Sequence, residues 1–371
     1  MPKRVTHLII GLGLGGAETM LYQVLLNKSG PDTVHRVISL GQGSYYEDPI
    51  KDLGVDLTVL PFKKRPVSVF FKLKKLLSGT DTLCCWMYHA CFIGEAAFRK
   101  ERKKGGRIIW NIRHGNLDKE NNSRSTIIAN GLCARRSGKV DLIAYNGNEA
   151  RRVHEEAGYC RETGAVLENG CDTEEYSRVP GADRKIRDEL GVPDGKKIVI
   201  SAAKDLPIKD LPTFITAFGR VHKDMPDTVA LMCGSGVTKD NERLTALLRA
   251  AGLRVDEDVF LLGMRHDIPT LFSASDLYVL HSAGEAFPNT LLQAMACGCP
   301  CVTTDVGDAR RILDDEERTV KPGDAEALAK AIESALSEPE EGRRIRVRRN
   351  RSAVEERYDI KRVVKNYEML F

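Results

Sequence analysis

The sequence predicts an α/β protein built from two doubly wound domains. Three observations lead there. Short apolar, β-branched runs alternate with helix-period segments through both halves of the chain. A glycine-rich loop, Gly11 to Gly16, follows the first of these runs. The length of 371 residues exceeds one ordinary core and suits two domains of about 150–200 residues each.

In the first half, strands are expected over 5–10, 34–40, 55–60, 82–87, 107–112, 142–145 and 165–167. Helices are expected between them over 17–26, 67–77, 90–104, 124–136 and 148–157. The second half repeats the alternation. Its strands are expected over 197–202, 228–233, 259–262, 277–280 and 301–304, and its helices over 211–222, 241–251, 288–297 and 325–336. Strands without polar alternation, each followed by a helix, make parallel sheets with right-handed crossovers. The polar stretch 172–183, with Pro180 and Gly181, separates the halves. Domains are therefore expected over 1–172 and 183–355, facing each other across a cleft. Neither an internal repeat nor a low-complexity linker is visible.

Composition narrows the function classes. Hydrophobic residues make up 42% and charged residues 29%, which excludes a disordered chain, a collagen-like chain and a small disulfide scaffold. No apolar run reaches the roughly 18 residues needed to span a bilayer. The most apolar window, 83–98, is interrupted by Tyr88, His89, Gly94 and Glu95. The first residues lack the apolar core of a signal peptide, so a cytoplasmic location is the expectation. None of the ten cysteines forms a C-x-x-C pair; reduced, core-filling cysteines are expected and no metal.

The net charge of +4 is unevenly spread. Residues 1–170 hold 26 Lys and Arg against 17 Asp and Glu, giving +9, and the remainder holds 30 against 35, giving −5. Residues 61–108 alone hold 12 basic and 3 acidic residues. Such a region suits a phosphate-bearing partner or an anionic membrane surface; no nucleic-acid partner is expected. Within it, 67–77 reads as a helix covering the sheet with Val67, Phe70, Phe71, Leu73, Leu76 and Leu77 as its apolar set. Its lysines remain able to touch lipid. Residues 338–356, rich in both charges, read as a solvated helix.

Gly11, Gly13 and Gly16 fit G-x-G-x-x-G, which lets a helix N-terminus approach an anion. A dinucleotide site also needs an acid ending the second strand. That strand ends Ile38-Ser39-Leu40-Gly41-Gln42, without one. An NAD(P)-dependent oxidoreductase thereby becomes the alternative reading.

The segment from His281 to Pro300 is the most informative. It reads as a strand end, a turn holding Glu285, a helix that begins at Asn289 and Thr290, and a Gly298 exit into another strand. Free N–H groups of a first helical turn can hold a phosphate. Gln293, one turn further, can reach a ribose hydroxyl. Here the chain resembles the family 4 glycosyltransferases, retaining enzymes with two Rossmann-like domains (GT-B). Their signature E-G-F-P-N-x-x-x-E-A-M-A-x-G stands here as Glu285-Ala286-Phe287-Pro288-Asn289-Thr290-Leu291-Leu292-Gln293-Ala294-Met295-Ala296-Cys297-Gly298. Ala286 and Gln293 depart from it. Gly13 to Glu18, with Gly15 and Gly16, looks like the family's first loop. Lys204 to Asp210 resembles its R-x-x-x-x-K diphosphate clamp, with Lys204 for Arg and Lys209 in the lysine position. Leu262 to Pro269, with Arg265, looks like the loop bordering the base, and Asn169-Gly170-Cys171-Asp172 like the domain junction.

The resemblance implies a nucleotide-diphosphate sugar donor, UDP-linked, a glycan or lipid-linked acceptor, and no metal or other cofactor. It also implies a last segment, 356–371, crossing back to the first domain. His114 ends the fifth strand and matches the family's histidine near the donor sugar; His89 ends the fourth strand and is the acceptor-side candidate. His114, Glu285 and Lys209 are the expected catalytic residues. Gly15, Gly16, Lys204, Arg265, Ala286, Phe287, Asn289, Thr290 and Gln293 are the expected donor contacts. His7 reads as a packed core histidine, and Asp256-Glu257-Asp258 as a solvated turn. The departures at Ala286 and Gln293 keep a second alternative in view, a nucleotide-sugar-binding protein without turnover.

Overall fold

The computed structural model describes the chain except residues 1, 31, 42–44 and 119–121, so Gln42 lies outside the described residues. The chain divides into two compact units, Met1–Gly170 with Ile360–Phe371, and Cys171–Asp359. The stretch 171–183 folds with the second unit rather than lying between the two. The Cys171 amide donates to the Tyr358 carbonyl over 2.8 Å, Thr173 Oγ1 donates to Asp359 over 2.7 Å, and the helix Ala182–Leu190 follows. The return to the first unit starts at Ile360, not 356, because Val354 and Tyr358 are buried in the second unit's core.

Among the described residues, the first unit's sheet has seven strands: β1 (Lys3–Ile9), β2 (Thr33–Ser39), β3 (Asp56–Val59), β4 (Thr82–Trp86), β5 (Arg107–Ile112), β6 (Leu142–Tyr145) and β7 (Gly164–Val166). They lie in the order β3-β2-β1-β4-β5-β6-β7, and every pairing is parallel. Ile9 pairs with both Ser39 and Trp86, so the carboxyl ends of neighbouring strands are level. The order reverses between β1 and β4. Crossovers leave in opposite directions there, which opens a crevice at the strand ends. The helix Ile360–Glu368 packs Ile360, Val363, Val364 and Tyr367 into the core beside β1 and β4.

The second unit's described strands are β8 (Lys197–Ala202), β9 (Thr228–Cys233), β10 (Val259–Leu261), β11 (Leu277–Leu280), β12 (Cys301–Thr304) and β13 (Thr319–Val320). Their order is β10-β9-β8-β11-β12-β13, again parallel, with the reversal between β8 and β11. Successive strand residues serve opposite faces. Ile198 and Ile200 belong to one core and Val199 to the other, as the period of two demands.

Three features differ from the sequence reading. β4 stops at Trp86, and Met87 opens the helix Met87–Arg102 with φ +68, so His89 lies in a first helical turn. In the helix Pro66–Leu76 the buried residues are Val69 and Leu73, while Val67 and Phe71 are 70% and 64% exposed. The helix Glu340–Ala353 is braced rather than merely solvated: Arg346 pairs with Asp315, Glu317 and Glu338, and Arg343 with Asp276. Among the described residues no helix is long and apolar enough to cross a membrane. All ten cysteines are free thiols, and Cys160 alone is not buried. Glu95, inside the most apolar window, is held by Arg136 through bonds of 2.6 and 2.8 Å.

His7 is a core residue. Its Nδ1 accepts from Trp86 Nε1–H over 3.3 Å, and its Nε2 lies 2.9 Å from His35 Nδ1. Burial pushes His35, His154 and His281 each down to about 4 and lowers His7 as well. These rings fold neutral, whereas the unfolded chain protonates them near 6.5. Below that pH the unfolded state binds more protons, so stability is full above about 6.5 and falls as the pH drops toward 4. His35, His154 and His281 each contribute at most about 3 kcal/mol to that loss. Urea denaturation at pH 7.5 and pH 5 should show a clearly lower midpoint in acid; equal midpoints would contradict neutral burial.

Candidate active site

The second unit's reversal point carries most of the candidate residues. The loop leaving β8 runs from Ala203 to Asp210. Its Ala203 amide donates to Cys233 and its Asp205 amide to Ser235, over 2.9 and 2.8 Å. Gly234 makes that approach possible. At its φ of +148 a Cβ would lie 2.1 Å from the Ala203 oxygen and 3.0 Å from the Lys204 nitrogen. The Asp205 carboxylate accepts from Asn241 Nδ2 over 2.7 Å and pairs with Arg243. Asp210, in the left-handed region at φ +49, caps the next helix through the Thr213 amide.

The exit of β11 is stapled to this loop. His281 Nδ1 lies 2.6 Å from the Lys209 carbonyl, which only accepts, so Nδ1 carries the hydrogen. The buried ring is neutral, and its Nε2 accepts from Ser201 Oγ–H over 2.7 Å. The Ala283 amide donates to the Ile208 carbonyl over 2.9 Å. The two loops are therefore tied together, and their charged groups meet. The Lys209 ammonium pairs with the Glu285 carboxylate, which also accepts from Ser282 Oγ over 2.8 Å. The pair is mostly shielded from water, with side-chain exposures of 26% and 13%.

After the Glu285 turn the helix Asn289–Ala296 begins, bringing Asn289, Thr290 and Gln293 to the same strand end. Thr290 Oγ1 accepts from Tyr278 Oη over 2.8 Å, which fixes the side chain and leaves both its hydroxyl hydrogen and its backbone amide to meet an anion. Gly307 seats the turn from the far side. With φ +55, its Cβ would stand 2.7 Å from the Glu285 oxygen and 2.8 Å from the Ala286 oxygen.

Two predicted donor contacts are placed otherwise. Phe287 is buried in the core, edge-on to Tyr358 with ring centroids 5.9 Å apart, so it anchors the turn. Arg265 is committed to Asp267, over 2.7 and 2.8 Å, and to Glu189. Those two carboxylates raise its already high pKa, and the guanidinium braces the 263–267 loop. Asp256 pairs with Lys239 and Asp258 with Arg254. Among the described residues no group of three or more His, Cys, Asp or Glu could hold a metal ion.

The first unit presents its own set at the β1/β4 reversal and the neighbouring β5 exit. Gly15, extended at φ −148, precedes the helix Gly16–Leu26, and the Glu18 carboxylate folds back where a Gly15 Cβ would be. Gly16 is exposed. His114 follows β5; burial lowers its pKa. His89 is turned to the Ser125 backbone, and burial with nearby Lys63 lowers it. Tyr88, not His89, reaches His114, with its hydroxyl 3.4 Å from Nδ1. Sequence reasoning missed the supporting roles of His281, Ser201 and Tyr88, because their partners lie 26 to 80 residues away in the chain.

Gln293→Glu tests the departure from E-x₇-E. A carboxylate accepts from two hydroxyls where the amide offers one acceptor oxygen. UDP affinity measured by calorimetry should hold or rise, within about 1 kcal/mol. A tenfold loss would mean that Gln293 is matched to another ribose geometry.

The family model for Glycosyl transferases group 1 matches residues 182–351. N-acetyl-alpha-D-glucosaminyl L-malate synthase of Bacillus anthracis is 30% identical over 190 residues, 50% of this chain and 48% of that enzyme. The chain thus spans about half the length of that curated relative. An N-acetylgalactosaminyltransferase of Campylobacter jejuni, named for a diphospho-undecaprenol substrate, is 25% identical over 83% of both chains. Among solved structures, Anabaena HepE in complex with UDP superposes with a TM-score of 0.84 at 21% identity, covering 99% of both chains. Sucrose-phosphate synthase of Thermosynechococcus elongatus gives 0.80 at 16% identity, covering 99% of this chain and 98% of that one. With its two doubly wound parallel sheets the chain has the GT-B fold, and its residues 182–351 match the family model of the group 1 glycosyl transferases.

Proposed function

We propose that the protein is a retaining glycosyltransferase that moves a hexose or N-acetylhexosamine from a UDP-sugar to a glycan or lipid-linked acceptor. The observation that carries this reading is the Lys209–Glu285 pair at the β8/β11 reversal, beside the start of the helix Asn289–Ala296. A cation, a helix N-terminus and a shielded carboxylate at one strand end suit a sugar diphosphate. Lys204, Lys209 and the Asn289 and Thr290 amides stabilise the leaving diphosphate, the position where negative charge grows. Glu285, steadied by Lys209 and Ser282, orders the sugar hydroxyls. Gln293 holds the ribose, and Arg265 shapes the base-side loop. In the first unit, Gly15, Gly16 and His114 are assigned to the sugar, and His89 to the acceptor. The leaving phosphate takes the acceptor's proton on the same face. Lysines and helix amides fill the electrostatic role of a metal, so no cofactor is required.

HepE, described with UDP and with UDP-glucose, supports a UDP-sugar donor, and the Campylobacter relative, named for a lipid diphosphate, supports a lipid-linked acceptor. A thermal-shift screen of UDP-, GDP-, ADP- and TDP-sugars, followed by transfer to a mixed acceptor pool, tests the reading. UDP-sugar stabilisation with transfer is expected. Stabilisation by NAD(P)H instead, or UDP-sugar binding with neither transfer nor hydrolysis, overturns it.

The helix Pro66–Leu76 supports peripheral contact with an anionic membrane, on the cytoplasmic face where UDP-sugars would be used. Val67 and Phe71 are exposed, and Lys74 stands 6.0 Å from the Phe70 and Phe71 rings. Cosedimentation with anionic but not zwitterionic vesicles, lost in a Val67→Ser, Phe71→Ser double variant, is the expected result. Equal recovery of both proteins would remove the helix from that role.

A further inference from the structure

A run of hydrogen bonds in the first unit ends on His114, and its direction can be read from the far end. His154 is fully buried in the helix Asn148–Glu156, with Nδ1 2.6 Å from the Ala150 carbonyl oxygen. A carbonyl only accepts, so Nδ1 carries the hydrogen. Burial pushes this imidazole down to about 4, so the ring is neutral and has a single N–H. Its Nε2 is therefore an acceptor. Tyr88 Oη lies 2.7 Å from that Nε2, and the phenol hydrogen must point there. Burial raises the Tyr88 pKa, which keeps that hydrogen in place.

With its hydrogen used, Tyr88 Oη has only lone pairs left for His114. His114 Nδ1 stands 3.4 Å away, with the two rings edge to face at 79° and centroids 6.2 Å apart. For this contact to be a bond, His114 Nδ1 must be the donor. Burial favours the neutral ring, so the opposite nitrogen, Nε2, keeps its lone pair. Tyr145 and Tyr159 pack on the His154 ring, with centroids 5.6 and 5.0 Å away, and hold the far end of the run still.

We propose that Tyr88 and His154 are positioning residues that hold His114 as its Nδ1–H tautomer, so that Nε2 accepts a hydrogen bond from a hydroxyl-bearing ligand and disfavours an anionic oxygen. The ligand half rests on placing His114 beside the sugar; the tautomer half does not. Were Tyr88 reversed, His114 would present Nε2–H, a donor that a phosphate or a carbonyl would satisfy equally well. The direction of the run thus assigns the chemical class that this subsite takes.

The experiment uses the full chain with ¹⁵N-labelled histidine and long-range proton–nitrogen correlation, at neutral pH. Single His→Asn variants assign the eight histidines. His114 and His154 should each show a pyrrole-type Nδ1 and a pyridine-type Nε2. Tyr88→Phe keeps the ring but removes the relay. His114 should then show averaged nitrogens, while His154, still bonded to Ala150, keeps its pattern. His154→Phe frees the Tyr88 hydrogen to turn toward His114 and should invert the His114 pattern. A pyridine-type Nδ1 on His114 in the unaltered chain overturns the relay. So does an unchanged His114 pattern in a Tyr88→Phe protein with native circular dichroism.

A set of UDP-glucose analogues, each with one sugar hydroxyl replaced by fluorine, tests the ligand half. Fluorine cannot donate. Analogues that lose a hydroxyl donating to Glu285 should weaken equally in every variant; one further analogue should bind about tenfold more weakly than UDP-glucose, and its gap alone should narrow in His154→Phe. The expected nitrogen pattern with no analogue whose penalty narrows in His154→Phe overturns the ligand half, and with it the place of His114 at the sugar, while the relay stands.

Discussion

Lys209→Ala is expected to lower sugar transfer by roughly 10²–10³-fold, the usual loss when one preorganised donor to developing negative charge is removed. UDP affinity should fall by about 1.5–3 kcal/mol, because a charge-assisted contact to phosphate is lost. The ion pair adds a second consequence. Without Lys209, the shielded Glu285 carboxylate keeps the Ser282 hydroxyl as a donor but would face the incoming diphosphate with its charge uncompensated. Glu285→Gln in the Lys209→Ala background should therefore recover part of the lost UDP affinity, although Glu285→Gln alone impairs transfer. Calorimetry and initial rates on the four proteins of this cycle measure the coupling. Additive effects would mean that the pair is incidental to donor binding. Unchanged rates in Lys209→Ala would remove the loop 203–210 from the site.

Gly307→Ala is expected to damage activity more than stability. A non-glycine residue at φ +55 costs about 1–3 kcal/mol. The new Cβ would also press on the Glu285 and Ala286 carbonyl oxygens at 2.7 and 2.8 Å, and backbone cannot yield as a side-chain tip can. The turn must shift, and a misplacement of about 1 Å at a reacting centre costs on the order of 10²-fold in rate. Gly323→Ala supplies the control. That glycine has φ +75, and a Cβ there would meet nothing within 4 Å. It should lose comparable stability by urea denaturation and retain transfer. Equal activity losses in the two variants would show that backbone strain, not displacement of the Glu285 turn, is responsible.

Much of the fold is legible in the residue pattern itself. Strands buried on both faces, such as Leu83 to Trp86 or Ile198 to Ile200, are continuous apolar runs bounded by polar turns, and the helices between them carry their own period. The misreadings have local causes. Met87 is apolar and reads as a continuation of β4, which carries His89 to a strand end; the left-handed turn at Met87 starts a helix instead. The helix Ala309–Leu313 and the strand Thr319–Val320 are too short to show any period. Phe287 sits inside a ligand-binding motif yet faces the core, because one turn must both present Glu285 and bury an anchor.

The order of the motifs, the two runs of alternating strand and helix and the basic first half were determined by the sequence alone. Each is a property of residues within a few positions of one another, where side-chain period and backbone preference act without tertiary help. Which charged and polar groups meet was decided only by the tertiary structure. Lys209 and Glu285 are 76 residues apart, Ser201 and His281 are 80 apart, and Tyr88 and His154 are 66 apart. Strand order and level strand ends bring the members of each pair together, and burial then fixes which atom carries the hydrogen. Arg265 shows the same division: its loop was readable from sequence, but Glu189, the second carboxylate that occupies its guanidinium, comes from a helix 76 residues earlier. Local pattern assigns a residue to an element, whereas its chemistry depends on the neighbours that packing supplies.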